Sequence, residues 1–375
     1  IGETGTLSVP TFLGLAPVSA MDVPFDVGPL LQTPTDTFLR KPRRTAWVPH
    51  PAFQPLWSGS VPWSLPKLSL SQVLSASDTS PRRTFSGSAV ARAFADAGVH
   101  SLPPGHVAIP RVPTASYGPA CGPTLASALG SHPVYRPSSG GLAFLSVRQE
   151  ASLMDLPPND VRVPLLCGLG PGRAHAALGA GVSVRSSSAL FRRIRHVLPR
   201  GRAVTVATAF SGADLFTSGL SVAGIPHRVI LASETKRHLR RFLRSLHPRA
   251  CVLRDATCDA AAHHPRRADL VLWGFPCVKF SSLNRSVTEA DLNREVRVLD
   301  RALDYVRLHP PKVFVLENVI GLKRRFPSLL RRICELLCSA CPSLTWYCHL
   351  DLPNQRGGPS RRPRLFLVGS VEALA

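Results

Sequence analysis

Acidic residues are scarce: 23 Asp and Glu stand against 45 Lys and Arg, leaving a formal charge of +22 and a pI near 10.9. That imbalance disfavours a basic partner and favours a polyanion, with nucleic acid first, although an arginine-rich composition would produce a basic surface by itself. No apolar run approaches the roughly 18 residues that a membrane-spanning helix needs, and the opening residues lack the charged-then-apolar pattern of a secretory leader. A soluble chain without a membrane partner is the expectation. The nine cysteines are odd in number and scattered through a 375-residue chain that needs no staples, so free thiols in a reducing compartment are expected. There is no convincing internal repeat. The chain opens on Ile1 rather than methionine, which is expected of a fragment or a processed product.

From Ile1 to about Pro113 the sequence is rich in Pro, Ser and Thr and shows neither helical nor strand periodicity. Trp47, Trp57 and Trp63 and the basic cluster Arg40, Lys41, Arg43 and Arg44 argue that part of it folds or binds, because disordered tracts are poor in aromatics. After Gly201 the texture changes to short apolar runs alternating with amphipathic stretches, the rhythm of βα units around a parallel sheet. Strands are predicted at 203–207, 228–232, 269–273, 312–316 and 364–368, with helices at 236–246 and 292–308.

Two groups of residues fall at the predicted strand ends, where open α/β sheets bind ligands. Phe210-Ser211-Gly212 follows the first strand in a tight turn suited to a nucleotide-like ligand. Glu234 lies twenty-two residues after Gly212 at the next strand end, placed to accept from both ribose hydroxyls. Asp255 stands where a third strand end could accept from an adenine amine. The second group is Pro276-Cys277 after one apolar strand and Glu317-Asn318-Val319 after another. A lone Cys is more often a small buried hydrophobe than a nucleophile. Paired with a carboxyl group it becomes the combination that cytosine chemistry requires, since carbon-5 is inert until a thiolate adds to carbon-6 and an acid protonates N3.

Gly274-Phe275-Pro276-Cys277 with Phe280-Ser281, then Glu317-Asn318-Val319, then Arg362-Pro363-Arg364 before Leu367-Val368-Gly369, resemble cytosine-C5 methyltransferases in order and spacing. The resemblance implies S-adenosyl-L-methionine as methyl donor, Cys277 as nucleophile, Glu317 as the acid at N3, and Arg362 and Arg364 as the groups holding the cytosine and its adduct. It also implies that Phe210, Ser211, Gly212, Glu234, Asp255 and Pro276 border the cofactor. The family's ninth motif resembles Leu145–Pro157, and its tenth Leu178-Gly179-Ala180-Gly181-Val182 with the helical stretch that follows, Val182 bordering the cofactor. Pro123-Thr124-Leu125 resembles the end of a recognition domain. These pieces usually follow the Arg362 segment, so the resemblance implies a circular permutation.

The implied architecture is an α/β fold, the S-adenosylmethionine-dependent methyltransferase (Rossmann-like) fold with a mainly parallel sheet, plus an irregular N-terminal target-recognition region. Residues 1–141 are expected to form that region, 142–200 the permuted motifs and 201–375 the catalytic core. DNA is the expected partner ahead of RNA, and no metal is required. The compartment would be the nucleus in a eukaryote, where the Arg40–Arg44 cluster permits import, or otherwise the cytoplasm.

Three positions depart from the family pattern. Asp214 replaces a glycine and is expected to push negative charge toward the methionine moiety, weakening cofactor binding. Ala180 replaces an asparagine and Ser360 a glutamine, with Gln355 five residues earlier, each loss worth on the order of 1 kcal/mol. A decayed copy that binds nucleic acid without methylating is the rival reading. The spacing of Cys334, Cys338 and Cys341 resembles an iron-sulfur loop, but a helix-like run makes structural thiols the better reading. His263, His264 and Cys348 complete no persuasive zinc site.

Overall fold

The computed structural model describes residues 50–55, 107–108, 133–136, 141–281, 284, 286–351 and 362–374. Most of the expected recognition region lies outside them, including the Arg40–Arg44 cluster, the three tryptophans and Pro123–Leu125, as do Gln355 and Ser360. Its described pieces are β1 (Phe53–Pro55) and a small antiparallel sheet of β2 (Val107–Ala108), β3 (Pro133–Arg136) and β4 (Gly141–Phe144).

The remaining strands are β5 (Val204–Ala209), β6 (His227–Ser233), β7 (Cys251–Leu253), β8 (Leu270–Gly274), β9 (Val313–Val319), β10 (Thr345–Asp351) and β11 (Arg364–Ser370). With β1 they form an eight-stranded sheet in the order β1-β10-β11-β9-β8-β5-β6-β7. All neighbours run parallel except the β10–β11 and β11–β9 pairs. The mainly parallel α/β sheet expected from the sequence is therefore present. Its central strands are near-continuous Val, Leu and Phe because helices cover both faces and leave no solvent side to alternate toward. The chain runs from β5 outward to β7 and then returns to β8 on the other side of β5. That reversal opens a crevice at the carboxyl ends of β5 and β8, into which both predicted groups of residues fall.

Residues 145–200 form α1 (Val147–Leu153), α2 (Arg162–Gly168), α3 (Pro171–Ala180) and α4 (Val184–Ile194). Ser146 and Gln149 close a capping box on α1, and Ser183 caps α4. Helix α4 packs on α5 (Leu215–Val222) so closely that a Cβ on Gly219 would lie 2.2 Å from Ser187 Oγ. One hydrophobic core runs from Leu145 to Leu374, across the expected boundary at 200/201.

Helix α6 (Arg237–Leu246) follows β6, and the short α7 (Asp259–Ala262) precedes β8. The predicted helix over 292–308 starts earlier, at a Thr288–Asp291 capping box, and divides at Leu303 into α8 (Glu289–Ala302) and α9 (Asp304–Leu308). After β9 come α10 (Gly321–Arg325) and α11 (Pro327–Ala340). The latter holds Cys334 and Cys338 and is followed directly by Cys341, and all three are free thiols. No helix among the described residues is long and apolar enough to cross a membrane.

Candidate active site

The loop after β5 is built from unusual backbone. Phe210, Gly212 and Asp214 all have φ between 51° and 56°, the left-handed region that disfavours side chains. Phe210 is held there by edge-on contacts of its ring with Trp273 and Phe275, at centroid distances of 6.2 and 5.9 Å. Ser211 ties the loop to the end of β6: its amide and hydroxyl both donate to the Ser233 carbonyl, at 3.0 and 3.1 Å. Glu234 accepts from the Gly212 amide at 2.9 Å through one carboxylate oxygen and from the Lys236 amide at 2.9 Å through the other. Asp255, just beyond β7, accepts from the amide and hydroxyl of Thr257, both at 2.9 Å. The side chains expected to border a nucleotide-like cofactor thus line adjacent strand ends. A Cβ built on Gly212 meets nothing within 4 Å, so open space adjoins the turn.

Asp214 does not do what the sequence predicts. Its carboxylate is buried and turned away from the crevice, accepting from Thr217 at 2.7 Å and lying 2.6 Å from His247 Nε2. Arg162 reaches it from α2, with Nε donating to the Asp214 carbonyl at 3.0 Å and Nη2 lying 3.9 Å from Oδ2. Asp155 repeats the arrangement: it too has positive φ, 59°, and is bonded by Arg185 at 2.9 Å and Ser183 at 2.7 Å. At both places a left-handed turn carries an aspartate whose charge an arginine of residues 145–200 neutralises. The Asp214 carboxylate is thus engaged inside the protein, by Thr217, His247 and Arg162. Val182, expected to border the cofactor, is a buried member of the core, in a segment that Gly181 brings against Leu215.

Sheet register brings Glu317 to the strand end that leads into the Cys277 loop. Gly274 pairs with Glu317, and a Cβ on Gly274 would lie 3.7 Å from Glu317 Oε2. Asn318 donates to the Phe275 carbonyl at 3.2 Å and so fixes the loop just before Pro276. Beyond the half-buried Cys277, the amides of Phe280 and Ser281 both donate back to its carbonyl at 3.0 Å. The loop's far side is pinned by Arg325, which donates to the carbonyls of Ser281 and Asn284 at 2.6 and 2.7 Å, and by Lys279 paired with Asp291 at 2.9 Å. Asn318 sat inside a recognised motif without a role, while Arg325 and Lys279 lacked any sequence signal. Their partners lie in distant segments or are main-chain oxygens, which a sequence does not display.

Glu317 is 6% exposed and ion-paired with Arg364, Nε to Oε1, at 2.6 Å. Burial raises the pKa of its carboxyl above the ordinary glutamate value, and the two arginines only partly oppose the shift. Arg362 is buried, and one of its amino groups donates to the carbonyls of Gly179 and Gly181 at 2.8 and 2.6 Å. Burial, then the charge of Arg364, lowers its pKa to about 9, so it stays a cation near neutral pH. The Cys277 thiol is raised by burial first and by Glu317 second, with Arg364 and Arg362 pulling it back. A thiol and a carboxyl that both retain protons above their usual range, beside two guanidinium groups, form an arrangement suited to adding a thiolate while delivering a proton.

The Glu317→Gln substitution removes the negative charge that raises the thiol. Iodoacetamide at pH 8 is expected to alkylate Cys277 several-fold faster in that variant, while Arg364→Gln slows it. Equal rates in all three proteins would show that Glu317 and Cys277 are not electrostatically coupled.

Residues 204–374 match the family described as C-5 cytosine-specific DNA methylase. No curated protein matches the chain. Among solved structures, S. pombe Dnmt2 methyltransferase is similar at 18% identity and a TM-score of 0.36, covering 46% of this chain and 51% of that one. Entamoeba histolytica methyltransferase EhMeth is similar at 13% identity and a TM-score of 0.34, covering 46% and 54%. The chain spans about half the length of these solved structures.

Proposed function

We propose, from the family match over residues 204–374 and the arrangement around Cys277, that this chain is a circularly permuted cytosine-C5 methyltransferase acting on DNA. The observation that carries the reading is the register that sets Glu317, gripped by Arg364, against the loop bearing Cys277.

S-adenosyl-L-methionine fits the donors at the crevice. Glu234 would accept from its ribose hydroxyls, Asp255 from its adenine amine, and Phe210, Ser211, Gly212 and Pro276 would border it. When bound, it supplies an electrophilic methyl group on a sulfonium. The protein's part begins with loss of the Cys277 proton. The sulfur lone pair then forms a bond to carbon-6, and the carbon-5=carbon-6 π electrons move toward N3, which takes its proton from Glu317. Arg364 holds the resulting carboxylate. Carbon-5, now nucleophilic, would accept the methyl group that the cofactor supplies; a base then takes the carbon-5 proton, the double bond reforms with Cys277 expelled as thiolate, and N3 returns its proton to the Glu317 carboxylate. Because carbon-6 is stacked inside a duplex, the target base must leave the helix to reach the thiol.

Two contacts support the permutation. Arg362 bonds the carbonyls of Gly179 and Gly181, and Gly181 abuts Leu215 directly behind the cofactor loop. On this reading, residues ahead of β5 in sequence would take the place that the usual chain order fills from behind. DNA is preferred to RNA because some 140 N-terminal residues are available for target recognition. That rests on analogy with related enzymes.

The test is transfer of labelled methyl from S-adenosylmethionine to duplexes containing 5-fluorocytosine, read by denaturing electrophoresis. Fluorine at carbon-5 cannot depart as a proton does, so the thioether persists. A labelled protein–DNA adduct is expected. An adduct on RNA alone would replace the DNA assignment. No adduct on either, from folded protein that binds duplex, would overturn the methyltransferase reading in favour of a binding relative.

A further inference from the structure

We infer that α6 and the edge strand β7 form a phosphate-binding surface, which grips the nucleic acid beyond the target cytosine. The inference rests on the nucleic-acid reading; the surface adjoins Glu234 and Asp255, but none of its cationic side chains has a role assigned in methyl transfer. Between Thr235 and Asp255 lie Lys236, Arg237, Arg240, Arg241, Arg244, Arg249 and Arg254, with no aspartate or glutamate among them. All but the half-buried Arg240 are exposed, and among the described residues none of the seven is paired with a carboxylate.

A generally arginine-rich composition would spread such charge evenly, and this chain does not. Helix α8, also exposed along one side, balances Arg294, Arg297 and Arg301 with Glu289, Asp291, Glu295 and Asp300. Two of those carboxylates are engaged by cations, Asp291 by Lys279 and Asp300 by Arg307. The α6 segment has no such compensation, so its mutual repulsion persists unless an anion arrives.

The geometry suits a polyanionic backbone. Arg237, Arg241 and Arg244 follow i, i+4, i+7 spacing and share one helix face, while Leu239, Phe242 and Leu243 are buried on the other. A rise of 1.5 Å per residue sets Arg237 and Arg244 about 10 Å apart, a length along which a duplex presents roughly six phosphate charges. Arginine outnumbers lysine six to one, as suits forked contacts to phosphate oxygens. A lipid surface is a poorer match, because an interfacial helix exposes its apolar side and α6 buries it.

The surface also has the right starting point. Lys236 and Arg237 follow β6, and Arg254 follows β7, at the carboxyl edge of the sheet where Cys277 follows β8. Three strand spacings separate β8 from β7, about 14 Å, or about four base pairs. A duplex with its flipped base at Cys277 and several more base pairs beyond it reaches this face, whereas a very short one does not.

The decisive experiment uses the full chain with Arg237, Arg241, Arg244 and Arg249 each changed to Gln. Arg240 stays, because it donates to the Glu234 carbonyl. Binding of fluorescent 12- and 30-base-pair duplexes is followed by anisotropy between 50 and 200 mM KCl. For the 30-mer, the slope of log K against log salt is expected to become shallower by roughly 3, the release from about four phosphates. A control changing Arg294, Arg297 and Arg301 to Gln on α8 should keep the wild-type slope. Slopes equal to the control's, in a variant whose melting temperature shows it folded, would overturn the inference. Adduct formation on 5-fluorocytosine is scored separately: its absence in the wild type would remove the methyltransferase reading while leaving the salt slope to judge this surface.

Discussion

Methyl transfer is expected to fall by on the order of 10⁴-fold or more in Cys277→Ser, with S-adenosylmethionine affinity unchanged within twofold. The size follows from the role. A hydroxyl ionises far less readily than a thiol, and without addition at carbon-6 the cytosine ring has no nucleophilic carbon-5. The cofactor should not register the change, because Glu234, the proposed ribose acceptor, follows β6 while Cys277 follows β8, two strands away across β5. Isothermal titration with S-adenosylmethionine and a labelled-methyl assay with duplex DNA check the two halves. Transfer retained above one per cent of wild type would refute Cys277 as nucleophile. Loss of both would mean that the substitution disturbs the loop, which Cys277→Ala would distinguish by removing the hydroxyl as well.

How far the sequence reached depends on the range of the interaction. The five predicted strands of the sheet lie within three residues of the observed ones, because parallel strands buried on both faces are near-continuous apolar runs bounded by the loops that carry the motifs. Strand β10 escaped notice. Trp346, Tyr347 and Cys348 are buried consecutively, so it lacks the alternation of a half-exposed strand, and its outer neighbour β1 lies some 290 residues earlier. Phe53 of β1 is buried by stacking on Trp346 at 5.5 Å, a contact that no local pattern announces. At the candidate site, Glu234 and Cys277 each follow a strand and Glu317 lies near the carboxyl end of β9, positions that the apolar runs before them mark in the sequence. Asp214 was misjudged: its position in the loop was correct, but a turn with φ near 51° redirects the side chain into the protein. Only the three-dimensional partners, Arg162 and His247, reveal that direction.

Those partners make Arg162→Met the most damaging substitution away from the reacting pair. The Arg162 guanidinium is buried and serves Asp160 at 3.0 Å as well as the Asp214 main chain and Thr217. Replacing it with an apolar chain of similar length leaves two largely buried carboxylates short of a cation, where removing one partner of a buried pair costs about 3–5 kcal/mol. The melting temperature should drop by roughly 10 °C. Asp214→Gly has a milder effect of about 1–2 kcal/mol: it loses the bonds to Thr217 and His247 but relieves a left-handed backbone that glycine adopts without strain. If Asp214 and Arg162 act as a unit, the double variant will be more stable than Arg162→Met alone, since one uncompensated charge has gone. Differential scanning calorimetry on the four proteins gives the answer. Strict additivity would mean that Arg162 acts through Asp160 alone and that the aspartate in the cofactor loop is tolerated rather than held. A recovered double variant, with cofactor affinity near that of wild type, would show that this departure from the family's glycine is compensated from residues 145–200 and is not a mark of decay.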